Sequence, residues 1–203
     1  MSNDFYKKIQ NFIDYLLEKT LFFLIPYWVK PNTFSWFRII LVPIIIILIL
    51  NNFWFWGMIA FISAALFDSL DGALARRRGQ ISKKGLILDP LADKLLIGLT
   101  LLVVMINYPF SSLILSIIGL EASMIFLAIM IKKSKLAPRP ANVWGKTKMF
   151  LQSLGILSIF LWQIFNSFYY LFFSAAILWL ALVFLVISAI DFTWNKNFTI
   201  ITK

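Results

Sequence analysis

The stretch FDSLDGALARRRGQISKKGLILDPLADKLL, Phe67–Leu96, sets four aspartates, Asp68, Asp71, Asp89 and Asp93, between two runs apolar enough to sit in lipid. The first pair is three residues apart and the second four, so on helices each pair occupies one face. A helix needs about 20 mostly apolar residues to cross a bilayer. Working outward from the aspartates, six such segments are predicted, at roughly 34–50, 52–75, 87–107, 110–131, 149–166 and 168–190. The expected fold class is an all-α integral membrane protein: six transmembrane helices in one domain, 31–203, preceded by an N-terminal juxtamembrane segment, 1–30.

Composition agrees with that reading. Of 203 residues 61% are hydrophobic, where a soluble domain is usually nearer half, and the mean hydropathy is +0.87. Only 14% of residues are charged, yet the net charge is +10, so the excess is concentrated. Lys and Arg gather in the N-terminal segment, around RRRGQISKKG, in KKSKLAPRPANVWGKTK and in the tail after Asp191. The other three connections, NNFWFWG, NYPFSS and FNSFYY, carry no charge. Positive loops stay in the cytoplasm, which predicts cytoplasmic termini and cytoplasmic long loops. Basic residues so placed face a membrane surface, and no nucleic-acid partner is expected. The first twenty residues include Asp4, Lys7, Lys8, Asp14, Glu18 and Lys19, unlike a cleavable signal. Within 4–20, Phe5, Ile9, Phe12, Ile13, Leu16 and Leu17 recur at helical spacing, as in an amphipathic interfacial helix or a short helix packed on the bundle.

The chain has no cysteine and no histidine, which excludes disulfides, thiolate chemistry, an imidazole base and the usual zinc sites. Acid–base and metal chemistry fall to carboxylates. Two antiparallel spans joined by a short loop would bring the four aspartates to one depth at the cytoplasmic boundary. Ionised carboxylates ~5 Å apart repel by about 3 kcal/mol per pair at an effective dielectric near 20. Divalent cations relieve that repulsion. Oxygen-only ligands select hard ions, Mg²⁺ or Mn²⁺, and two such ions on shared carboxylates suit displacement at phosphorus. Gly72 and Ala75 share the face of Asp68 and Asp71, where small side chains admit a ligand or a neighbouring helix. Arg76 stands where a guanidinium can fork onto phosphate. Arg77, Arg78, Lys83 and Lys84 read as surface charge, at most contacting anionic head groups.

As a pattern the stretch is D-x2-D-G-x2-A-R-x8-G-x3-D-x3-D, formed by Asp68, Asp71, Gly72, Ala75, Arg76, Gly85, Asp89 and Asp93. It resembles the CDP-alcohol phosphotransferase signature at all eight positions. Two further stretches are similar to the phosphatidylglycerophosphate synthases of that family. In PNTFSWFRIILVP these are Pro31, Asn32, Arg38 and Pro43, with Ser35 where a threonine is usual; in GKTKMFLQ they are Gly145, Lys146, Lys148 and Gln152, with Met149 for a threonine. The fourth span departs from the pattern: Glu121 is kept, but two positions usually arginine are Leu120 and Ala128. That leaves the phosphate of the acceptor to other residues; the acceptor-site candidates are the hydroxyl of Ser35 and the cations Arg38, Arg139, Lys146 and Lys148. Glu121 reads as the partner of a basic residue such as Arg38, or as a proton-path acid.

The resemblance implies a homodimeric transferase that joins a CDP-linked lipid, CDP-diacylglycerol, to a small alcohol, with glycerol 3-phosphate the leading acceptor. It implies metal ligation by Asp68, Asp71 and Asp89, with Asp93 sharing an ion, and nominates Asp93 as the base. Donor binding falls to Asp68, Gly72, Ala75, Arg76 and Gly85. The alternatives are the same chemistry on an inositol phosphate, another polyol phosphate or an amino alcohol, and, in a different class, cation transport. Transport predicts acids spread along several spans; here they cluster at one end.

Overall fold

The computed structural model describes residues 32–78, 85–133 and 143–194; of residues 32, 34, 68–78, 85–90, 128, 129, 131–133, 143 and 192–194 it describes the backbone alone. The amphipathic segment expected at 4–20, Arg139 and the basic tail lie outside the described residues. All regular structure among the described residues is helical, in six helices: α1 Asn32–Leu50, α2 Trp54–Arg78, α3 Gly85–Val104, α4 Ser111–Lys133, α5 Val143–Phe165 and α6 Phe168–Trp194. Each covers one expected segment. The main difference is at α5, which begins at Val143 although its apolar run starts near 149. Lys146 and Lys148 are therefore helical, because a helix continues for as long as its backbone groups find partners, whatever the polarity of its side chains.

The uncharged connections are tight. Asn52 takes a left-handed conformation, φ 61°, which asparagine tolerates better than most residues. The Phe53 N–H then reaches the Leu48 carbonyl at 2.8 Å and the Asn52 N–H the Ile49 carbonyl at 2.9 Å, closing α1 with paired terminal bonds. Asn166, φ 48°, closes α5 in a simpler way, its N–H on the Trp162 carbonyl at 2.7 Å.

Stretches of α5 and α6, Trp144–Phe165 and Phe168–Asp191, are long and apolar enough to cross a bilayer. The apolar stretches Ser35–Leu50, Trp54–Phe67 and Ser111–Leu127 are shorter. Two candidate spans are consistent with a membrane protein.

The described residues divide into two compact units, one formed by those up to Ile45 with Ile59–Leu96, the other by Ile46–Met58 with those from Ile97 onward. In the first, Ser35, Arg38, Val42 and Ile45 of α1 are buried, while Trp36, Phe37, Ile40 and Ile44 are exposed. The alternating steps of three and four put one stripe of α1 inward. Phe61 and Ala64 from α2, and Ala92 and Leu96 from α3, are buried as well.

In the second unit α5 and α6 pack along each other. Gly155 makes this possible: a Cβ there would fall 2.6 Å from Leu178 Cδ2 and 2.9 Å from its Cγ. Phe160 is fully buried, edge-on to Trp54 with ring centroids 6.2 Å apart. At the α3–α4 turn Tyr108 lies against Phe110 and Trp162. Its hydroxyl is 2.8 Å from Ser174 Oγ, which itself donates to the Leu171 carbonyl at 2.7 Å, so Tyr108 is the donor. Burial pushes the Tyr108 phenol above its ordinary value of 10.0, and the Ser174 hydrogen bond opposes that rise.

Candidate functional site

The chemistry-bearing stretch begins as the second half of α2. The helix runs unbroken through Asp68, Asp71, Gly72, Ala75 and Arg76 to Arg78. Helix α3 starts at Gly85 and carries Asp89 and Asp93 one turn apart. Both pairs therefore have the backbone spacing that gives each a common face. Asp93 is the member of the octad whose side-chain surroundings are described. No group of three or more potential metal ligands occurs among the described residues, within which the side chains of Asp68, Asp71 and Asp89 do not fall.

Asp93 forms an ion pair with Arg38, its Oδ1 accepting from Nη1. The partners are 55 residues apart and belong to the same unit. The Arg38 side chain is 0% exposed and that of Asp93 21%. The burial of Arg38 follows from register: it occupies the inward stripe of α1 one turn after Ser35, which is also fully buried. An arginine so placed is tolerable only with a compensating charge, because removing one partner of a buried pair costs about 3–5 kcal/mol.

A second polar cluster joins α4 to α5. Glu121 Oε1 accepts from Lys148 Nζ at 2.9 Å and from Gln152 Nε2 at 2.8 Å. The side chains of Lys148 and Glu121 are each 16% exposed, and Gln152 is buried. Glu121 is thus paired with a basic residue, as expected, but that residue is Lys148; Arg38, the example considered, is held by Asp93. Lys148 and Gln152 are four residues apart on one face of α5, so both reach the same carboxylate oxygen. That i, i+4 spacing, opposite a lone acid in an apolar span, was the available signal for the cluster.

Of the residues expected to serve the acceptor, Ser35 and Arg38 are buried in the first unit, Lys148 is neutralised by Glu121 in the second, and Lys146 is exposed on α5. The sequence pattern foresaw neither Arg38 as the partner of Asp93 nor Gln152 as a ligand of Glu121.

The family model described as CDP-alcohol phosphatidyltransferase matches residues 28–190. Similar proteins include the CDP-diacylglycerol–glycerol-3-phosphate 3-phosphatidyltransferase of Aquifex aeolicus, 29% identical over 180 residues, spanning 85% of this chain and 98% of the relative. The Bacillus subtilis protein of the same name is 29% identical over 183 residues, 82% of this chain and 94% of its own. The Escherichia coli protein, also so named, is 32% identical over 143 residues, 66% of this chain and 76% of its own.

Proposed function

The chain belongs to the CDP-alcohol phosphatidyltransferase family, and on that premise we propose that it transfers a phosphatidyl group from CDP-diacylglycerol to the hydroxyl of glycerol 3-phosphate, releasing CMP. The observation that carries this reading is the complete octad, Asp68 to Asp93, on consecutive helices of a chain whose similar proteins bear that activity in their names.

In the proposed reaction the acceptor oxygen attacks the lipid-side phosphorus of the donor. A new P–O bond forms there, the diphosphate P–O bond breaks, and CMP leaves with the bonding pair. The acceptor proton needs a base within hydrogen-bond reach. The chain has no histidine, and Asp93, partly exposed and paired with Arg38, suits the role. Gly72 and Ala75 would let the cytidine approach the backbone of α2, and Arg76 would steady the diphosphate. The donor set, all carboxylate oxygen and spaced by single helical turns, fits hard divalent ions. Asp68, Asp71 and Asp89 would hold Mg²⁺ or Mn²⁺, two ions in the fullest arrangement with Asp93 sharing one, which would screen the diphosphate and the charge growing on CMP.

The wider arrangement proposed is six spans, with both termini and both basic loops cytoplasmic. Residues 31–203 would then form one catalytic domain behind an interfacial segment at 1–30, in a homodimer. The donor's acyl chains would stay in the leaflet while its head group meets the acceptor at the water boundary.

A second reading keeps the chemistry and changes the acceptor to another polyol phosphate. It is favoured by Leu120 and Ala128 at the usual arginine positions and by the neutralisation of Lys148. An acceptor panel separates the two: purified protein, CDP-diacylglycerol, Mg²⁺ or Mn²⁺, and CMP release for each alcohol. Glycerol 3-phosphate is expected to support turnover. Silence with it, and turnover with an inositol phosphate, would replace the acceptor and leave the family chemistry standing.

A further inference from the structure

Arg38 has no part in the reaction as set out above, although it is among the largest fully buried side chains described. We propose that Arg38 is a positioning residue: it holds the Asp93 carboxylate in the orientation that receives the acceptor proton. The inference rests on the reading of Asp93 as the base.

Three observations support it. Arg38 lies on the inward stripe of α1, flanked by Ser35 and Val42, so its guanidinium is held by the packing of its own stem. Its contact with Asp93 joins α1 to α3 within a single compact unit, so both anchors belong to the same body. The Asp93 side chain keeps 21% of its surface while paired with Arg38, so the pair is not sealed off. A carboxylate on a short side chain can rotate away from a nucleophile, and a base that is misplaced loses its effect steeply. A planar guanidinium, with donors fixed in direction, restrains that rotation better than an ammonium on a flexible stem. Full burial also places Arg38 poorly for the acceptor's phosphate, the role its position in the PNTFSWFR stretch first suggested.

The test uses the full-length protein in detergent micelles and four readouts: kcat, KM for CDP-diacylglycerol, KM for glycerol 3-phosphate, and CMP binding by calorimetry, with melting temperature as the control for folding. Arg38→Gln is expected to lower kcat by about 100-fold, the low end of what a positioned base contributes, with both KM values within about threefold and CMP affinity unchanged. Arg38→Lys, which preserves charge but not the planar fork, is expected to recover part of that loss, to within roughly tenfold of the parent. In an Asp93→Asn background, Arg38→Gln is expected to cost little more, because the group it orients is already gone.

A rise of tenfold or more in the KM for glycerol 3-phosphate at unchanged kcat would overturn the inference and give Arg38 to the acceptor. So would losses in both Arg38 variants that merely track the folded fraction, or full additivity with Asp93→Asn. Turnover retained in Asp93→Asn itself would remove the base assignment. Turnover lost there but kept in Arg38→Gln would remove the Arg38 inference alone.

Discussion

Glu121→Ala removes the carboxylate that Lys148 and Gln152 share. What remains is an ammonium with 16% of its side chain exposed and a buried amide that has lost its acceptor. Breaking a buried ion pair by deleting one partner costs about 3–5 kcal/mol. The residual exposure of both side chains argues for the lower end, about 3 kcal/mol. For a domain of roughly 200 residues each kcal/mol moves the melting temperature by about 2–4 °C, so a fall of about 6–12 °C is expected in micelles. Glu121→Gln keeps an acceptor for Gln152 and is expected to lose less, about 1–2 kcal/mol. The double variant Glu121→Leu with Lys148→Met removes both charges and is expected to come back to within about 1 kcal/mol of the parent. Thermal unfolding of Glu121→Leu, Lys148→Met and the double variant gives the coupling energy directly. A Glu121→Ala protein melting within 2 °C of the parent, or strictly additive effects, would refute the reasoning. Lys148→Met raising the KM for glycerol 3-phosphate tenfold with an unmoved melting temperature would instead assign that lysine to the acceptor.

Three further outcomes are expected. Gly155→Ala puts a methyl 2.6 Å from Leu178 Cδ2, and the overpacking should destabilise by about 1–3 kcal/mol; Leu178→Ala in the same chain should relieve part of the clash, and a neutral Gly155→Ala would show that the two helices separate freely. The raised Tyr108 phenol contributes stability that is fully present below pH 10.0 and is lost as pH climbs through the folded-state value; Tyr108→Phe should flatten the alkaline fall in melting temperature, and identical slopes would dismiss the effect. Chelation of divalent ions should abolish CMP release, with recovery on adding Mg²⁺ or Mn²⁺, and Asp68→Asn or Asp71→Asn should remove the stabilisation that CMP and metal together confer on melting; the same thermal shift in those variants would place the ions elsewhere.

The helices and the octad were legible from sequence because both are local. A run of apolar residues bounded by Asn-rich turns suffices for α1, α2, α5 and α6, and D-x2-D-G-x2-A-R is a spacing within one helix. The helix of α5 begins at Val143, six residues before its apolar run near 149, because backbone hydrogen bonding rather than side-chain polarity sets where a helix starts.

Partner choice was not legible, and it decided the assignments that matter most for the site. Arg38 could have faced Glu121, Asp93 or a substrate; Glu121 could have taken any nearby cation. In a chain 61% hydrophobic, the inward and outward faces of a helix carry the same residue types: Ile45 and Ile49 are buried while Ile40, Ile44 and Ile47 are exposed. With so little contrast between faces, composition cannot state how a helix is rotated about its axis. Rotation and register are settled only when the helices pack, and it is packing that sets Arg38 against Asp93 and Lys148 against Glu121.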